Sequence, residues 1–339
     1  MTKIAVIVPF YQTRIGLLRA SIESIISQEF VEKIDISVYI VDDGSPISPT
    51  EELTGLNLPA HISVLTLTQS NMGQCAARNA ALEVVSEDTD FIAFLDSDDV
   101  WFPSHLADAL AAMGDHGEFY FCDNYEDDDE TTFQRSMYFG HRSRHSDWEN
   151  VNVGIKAFRF KFGKAFETFI GEYVSQTSTI VCKRSQFETL RFREDLRASG
   201  EDYFVWLTIV RNSKDVIFSQ KVNGRRGRGV SIYRDAYSWN SPKALNRLLG
   251  DLHFWKTVRT GFVLTKREQS IVSQHIYLKR MGISYLLVRN VLRHPAQNVK
   301  AVLKFLRMDL VGFALSPVLV FRAIVNARNG KLDFRLKLT

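Results

Sequence analysis

Three aspartates fall within four positions, Asp96, Asp98 and Asp99, directly after the apolar run Phe91–Leu95. Like charges crowded at the exit of a buried strand are unfavourable unless something positive sits among them. Aspartates at i and i+2 beyond a strand can converge on one hard cation. Their oxygens suit Mg²⁺ or Mn²⁺, which keeps waters and takes phosphate oxygens as further ligands. Asp/Ser turn chemistry would account for the same residues without a ligand. A second acidic exit, Asp42-Asp43-Gly44-Ser45, follows another strand-like run and favours the ion. Further on, Gly200-Glu201-Asp202-Tyr203 sets two carboxylates at the head of an apolar helical pattern. An ionised carboxylate there can take a proton from a hydroxyl; with Ser199 the same residues fit a helix-capping box. NGRRGRGVS, from Asn223, alternates three arginines with three glycines and offers many donors to an anion.

Strands must carry these residues. Ile4–Val8 and Ser37–Val41 are continuous apolar, largely β-branched runs, as in strands covered on both faces. Ile62–Leu67 is a weaker third and Phe91–Leu95 a fourth. Apolar residues at Ile15, Leu18, Ile22, Ile25 and Ile26 have helical spacing, and Gln74–Val85 is an Ala-rich helix pattern. Strands alternating with helices predict a doubly wound, mostly parallel α/β sheet. Such sheets bind ligands outside the carboxyl ends of their strands, where the aspartates collect. Residues 123–150 are polar, with an acidic run Glu126–Glu130 that reads as a solvated loop.

The 339 residues suffice for one large domain or two. Cys75, Cys122 and Cys182 form neither a CxxC pair nor a zinc pattern, as expected for buried thiols in a reducing compartment. The net charge of +3 conceals an asymmetry: residues 240–339 hold 18 Lys and Arg against 4 Asp and Glu. No apolar run reaches spanning length; the longest, Leu310–Phe321, lies between Asp309 and Arg322.

In order and separation, VIVPFYQTR, VDDGS, NMGQCAARNAAL and FLDSDDVWFP resemble family 2 glycosyltransferases of the GT-A fold over about residues 1–235. The resemblance implies a catalytic domain over 1–238; by its own charge and spacing, 239–339 reads as a helical, basic region that either associates with a membrane or packs on protein. The resemblance also implies that Asp43, with Asp42 beside it, reads the uracil of a UDP-sugar flanked by Pro9 and Tyr11. Asn71, Gly73 and Arg78 would lie by the nucleotide, Arg78 pairing with Asp43 or with the acidic cluster. Asp96 would bond the ribose, Ser97 belongs to the same nucleotide-binding turn, and Asp98 would hold the Mn²⁺ or Mg²⁺. Asp99 either orients the site or caps a helix. GEDYFVW resembles the motif of the catalytic base, pointing to Asp202 with Glu201 as the alternative. The arginine loop departs from the family pattern in its Arg-Gly alternation; Arg228 is the favoured contact for the diphosphate. Trp101 and Trp206 could stack on sugars or pack in the core.

The implied activity is an inverting, metal-dependent transfer of a hexose to a glycan or lipid-linked oligosaccharide in exopolysaccharide or lipopolysaccharide assembly. A cytoplasmic place on the inner membrane face goes with it. Val302, Phe305, Leu306 and Leu310, with Lys300, Lys304 and Arg307 between them, read as an interfacial helix that Pro317 should break. The rival reading packs that helix on protein. A nucleic-acid role for the arginine loop is set aside. A sugar-phosphate nucleotidyltransferase would need a glycine-rich loop after the first strand, and PFYQTR has none. A receiver-type module would carry its acidic pair after the first strand, not the second. A non-catalytic sugar-nucleotide binder sits poorly with intact Asp96, Asp98 and Asp202.

Overall fold

The computed structural model describes residues 1–126, 130–142, 145–229, 240–241, 243–293 and 295–328. Asp127–Asp129 of the acidic run, Val230 and Ser231 of the arginine motif, and the 238/239 boundary lie outside them. The chain divides into two compact units, Met1–Glu194 with Val205–Val230, and Asp195–Phe204 with Ser231–Thr339.

In the first unit β1 (Thr2–Phe10), β2 (Ile34–Asp42), β3 (Ile62–Thr68) and β4 (Phe91–Phe94) run parallel in the order β3-β2-β1-β4. The helices α1 (Leu17–Ile26), α2 (Pro49–Leu53) and α3 (Gln74–Val84) connect them. All four predicted strands and both predicted helices form. Ile4–Val8 are almost wholly inaccessible, as their two-sided apolar run requires. In α1, Leu18, Ile22 and Ile25 face the core. The helix starts two residues later than its spacing suggests: Gly16 takes φ +89° and Ile15 stays exposed. Pro9 lies past the last β1–β4 pair, Ile7 with Phe94, where its missing N–H breaks no ladder on that side.

Beyond β4 follow β5 (Val100–Trp101), α4 (His105–Met113), β6 (Phe119–Tyr125), α5 (Thr132–Arg135), β7 (Trp148–Asn152), β8 (Ala157–Phe160), α6 (Lys164–Gly171), β9 (Val181–Lys183), α7 (Glu201–Asn212) and β10 (Val216–Arg225). The sheet continues as β4-β9-β6-β10-β8-β7. β9 is antiparallel to both neighbours, β6 and β10 are parallel, and β5 pairs antiparallel with the end of β10. Around these strands the core is aromatic: Phe94, Phe119, Phe121, Phe169, Trp206 and Phe218 are essentially inaccessible.

The second unit contains α8 (Ala244–Gly261), α9 (Lys266–Arg293), α10 (Pro295–Met308), α11 (Leu310–Ala314) and α12 (Ser316–Arg328). The helix expected from Val299 is broken twice, at Asp309 and Leu315, and Pro317 sits in the first turn of α12. Asp309 is buried, held by Arg280 through Nε–Oδ2 at 2.6 Å and Nη2–Oδ1 at 2.8 Å. Phe305, assigned from its spacing to a lipid-facing stripe, is fully buried against protein. Asp251 is also buried, with Arg247 and Lys279 each at 3.0 Å. Part of the basic excess therefore works inside the fold. Among the described residues no helix is long and apolar enough to cross a membrane.

Candidate active site

β2 and β3 lie to one side of β1, and β4 to the other. The chain reverses direction across the sheet at this pair, which opens a crevice beyond its carboxyl ends. Three strand exits meet there. The Gln12 backbone N–H donates to Ser45 Oγ at 3.0 Å, and that hydroxyl donates to the Gln12 carbonyl at 3.1 Å. The Gln12 side-chain amide donates to Ser97 Oγ at 3.0 Å. One buried glutamine thus ties the β1, β2 and β4 exits together.

The adjacent aspartates of VDDGS do different things. Asp42 makes the turn, its Oδ1 accepting the Ser45 N–H at 2.8 Å. Asp43 is buried and accepts from Gln69 Nε2 and Met72 N, both at 2.7 Å, and from Gly73 N at 2.8 Å. It holds residues 69–73 ahead of α3. Gly73 sits at φ +94°, a backbone that L side chains rarely adopt, so the turn favours glycine there. Asn71, within this turn, and Tyr11, just past β1, are exposed.

Arg78, on α3, reaches the acidic cluster and not Asp43: Nη2 bonds Asp96 Oδ1 at 2.7 Å, and the guanidinium lies 5.3 Å from the Phe192 ring centroid. The Asp96 N–H donates to Ser178 Oγ at 2.9 Å. Asp99, whose role the sequence left open, is buried and accepts from Gln176 Nε2 at 2.7 Å, Ser178 Oγ at 2.6 Å and Gly227 N at 2.7 Å. Burial, then the charges of Asp96 and Asp98, push its carboxyl up to about 7. Asp98 Oδ2 accepts the Gly229 N–H at 2.6 Å. Burial and Asp96 raise its carboxyl, while Gly229 and Arg226 pull it back.

These contacts give the Arg-Gly alternation a steric cause. A Cβ at Gly227 would stand 1.6 Å from the Asp98 carbonyl oxygen, and one at Gly229 would stand 2.7 Å from Asp98 Oδ2. Pairing of β5 with β10 delivers the loop onto the acidic turn. Arg225 stacks over Tyr125 at 4.8 Å, whereas Arg226 and Arg228 are exposed.

Among the described residues no three His, Cys, Asp or Glu side chains group to hold a metal. Asp96 and Asp98, two carboxylates on one turn, fit only an ion that draws most of its ligands from phosphate and water. Trp101 and Trp206 are core residues. Trp101 Nε1 donates to the Ser178 carbonyl and its ring stacks on His105 at 4.5 Å. Trp206 is enclosed by Phe94, Phe119 and Phe192.

Glu201 and Asp202 belong to the second unit. Glu201 is buried; Asp202 is half-buried, its Oδ1 accepting the Tyr203 N–H at 2.6 Å. Within that unit Ser199 Oγ donates to Asp251 at 2.5 Å, and Tyr203 stacks on Phe254 at 5.0 Å. Gly200, at φ +79°, has the Phe254 ring where a Cβ would be. The start of α7 is therefore moulded onto α8. Sequence reasoning missed Gln12, Gln69, Gln176 and Ser178. Gln12 and Gln69 stand in or beside the motifs as polar residues at strand ends, whereas Gln176 and Ser178 carry no local signal.

A nucleotide-type crevice at a strand reversal, rimmed by carboxylates and covered by an arginine loop, is the arrangement of GT-A enzymes. The chain belongs to glycosyl transferase family 2, whose model matches residues 5–188. It is 28% identical over 338 residues to the succinoglycan biosynthesis protein ExoW of Rhizobium meliloti (strain 1021), covering 87% of this chain and 95% of that protein. It is 37% identical over 122 residues to the minor teichoic acid biosynthesis protein GgaA of Bacillus subtilis (strain 168), covering 35% of this chain and 25% of that one. In fold it is similar to residues 1–349 of S. aureus TarS, with TM-score 0.57, 16% identity and coverage of 99% and 89%. The mannosyltransferase PcManGT of Pyrobaculum calidifontis gives TM-score 0.56, 15% identity and coverage of 96% and 87%.

Proposed function

We propose that this glycosyltransferase moves a sugar, a hexose by the resemblance, from a UDP-sugar to a hydroxyl of a glycan or lipid-linked oligosaccharide, with inversion. The setting would be exopolysaccharide or lipopolysaccharide assembly on the inner membrane face. The observation that carries this reading is the collection of Asp43, Asp96 and Asp98 at the exits of β2 and β4, with the Gly227–Gly229 loop bonded onto Asp98 and Asp99. Of about four acceptor positions on an ionised Asp43, three are filled, leaving one for a base N–H. Asp96, oriented by Arg78, would take the ribose hydroxyls. Bound at Asp98, Mn²⁺ or Mg²⁺ would stabilise charge on the departing diphosphate. The arginine loop, with Arg228 the favoured contact, would add donors there. Asp202, or Glu201 in its place, would take the acceptor proton, and one displacement opposite the leaving group inverts the anomeric centre. TarS has been crystallised with UDP and with UDP-GlcNAc, and PcManGT with GDP-Man and Mn²⁺, which supports a nucleotide-sugar donor.

The test is Mn²⁺-dependent UDP release across a panel of UDP-sugars. Asp98→Ala and Asp202→Asn should each lose about 10²-fold or more in kcat. Full activity in Asp202→Asn would remove the base assignment, and activity undiminished by EDTA would remove the metal.

A further inference from the structure

We infer that α11 and α12 form the surface that seats this enzyme on an anionic lipid bilayer, and that α10 supplies its flanking charge. The inference rests on the proposed membrane setting and moves most of the contact further along the chain. The sequence pattern assigned the lipid face to Val302, Phe305, Leu306 and Leu310. Phe305 is fully buried and Val302 and Leu306 are half-buried, so that part of the stripe is spent on protein packing, and Leu310 alone of the four is exposed. The exposed apolar residues lie further along. Leu310 (67% exposed), Val311, Leu315, Val318 and Phe321 (68%) stand in solvent, followed by Ile324 and Val325. Between Leu310 and Val325 the sole charged residue is Arg322. Leu319 and Ala323, on the opposite side of α12, are buried. The helix therefore has its own inward seam and a second, outward apolar face that stands exposed.

A contiguous exposed apolar face on this scale marks an interaction site. Its surroundings identify the occupant. Lys300, Lys304, Arg307 and Arg322 are exposed around it, and no exposed carboxylate lies between residues 299 and 326. Asp309, the one acid in that interval, is buried under Arg280. With 18 basic against 4 acidic residues over 240–339, two copies of this face would repel. Anionic headgroups would satisfy the rim while the side chains of Leu310, Val318 and Phe321 enter the acyl boundary, the pattern of an interfacial helix.

The test uses the full chain with phosphatidylcholine vesicles, with and without about 30% phosphatidylglycerol, enough for a strongly negative surface. Wild type should float with the anionic vesicles and stay behind with neutral ones, and added salt should release it. Val318→Glu/Phe321→Glu should weaken partition at least about tenfold. Lys300→Glu/Lys304→Glu/Arg307→Glu, which leaves the apolar face intact, should weaken it as well. Both variants should keep wild-type UDP release from a UDP-sugar in vesicle-free buffer. That readout also separates this inference from the proposed function, since a chain without UDP release can still float. Wild type that ignores anionic vesicles overturns the inference. So does a wild-type dimer that either variant turns into a monomer while vesicle binding persists.

Discussion

Asp99 and Asp43 each accept three protein donors, Asp43 with one acceptor position to spare. Asp43 gathers three donors from 69–73, and Asp99 gathers three from Gln176, Ser178 and Gly227. Both hold loops of the candidate site in place. His105 supports the same turn from behind. It is buried, stacked on Trp101, and burial pushes its imidazole down to about 3 from an ordinary 6.5. Between those values the unfolded chain binds a proton that the folded chain does not. Its contribution is thus present above pH 6.5 and is lost progressively as pH falls toward 3. His105→Phe should remove about 1.4 kcal/mol per pH unit from the wild-type slope of unfolding free energy between pH 4.5 and 6. Urea titrations at several pH values measure it, and identical slopes would refute the assignment.

At the scale of elements, the decisive contact is a loop against a turn. The β5–β10 pairing lays 225–229 over Asp98, and only glycine fits at 227 and 229. A methyl group at 227 must lift the loop, because its obstruction is backbone oxygen and not a flexible side-chain end. Gly227→Ala should therefore cost about 10²-fold in kcat/KM for the UDP-sugar, the usual penalty for misplacing a site by about 1 Å. The thermal midpoint should move by only a few degrees, since the change lies outside the core. Wild-type kcat/KM in this variant would mean that the loop plays no part in turnover.

Across the whole molecule, the helical unit does more than extend the chain. Ser199, Gly200 and Tyr203 are fixed on α8 through Asp251 and Phe254, so the segment bearing Glu201 and Asp202 is shaped by residues some 50 positions later. Asp251→Ala would leave Arg247 and Lys279 buried together without their anion, a loss of about 3–5 kcal/mol. Turnover should fall steeply while the donor KM stays within about twofold, because the residues proposed to bind the nucleotide lie in the other unit. A parallel loss of UDP affinity would argue against that division of labour.

Much of this was legible from local pattern. Two-sided β-branched runs can only be buried strands, so β1, β2 and β4 were readable, and with them the edge where Asp43, Asp96 and Asp98 collect. Ordered motifs over the first 235 residues were enough to suggest the family. What pattern could not supply is partnership between distant residues. Whether Arg78 turns to Asp43 or Asp96, what Asp99 holds, and why glycines interleave with arginines depend on contacts 18 to 131 positions apart. The same limit misassigned Phe305. Helical spacing shows that a face is apolar, but only the packing of α9, α10 and α12 decided which apolar face the protein covers and which it leaves open.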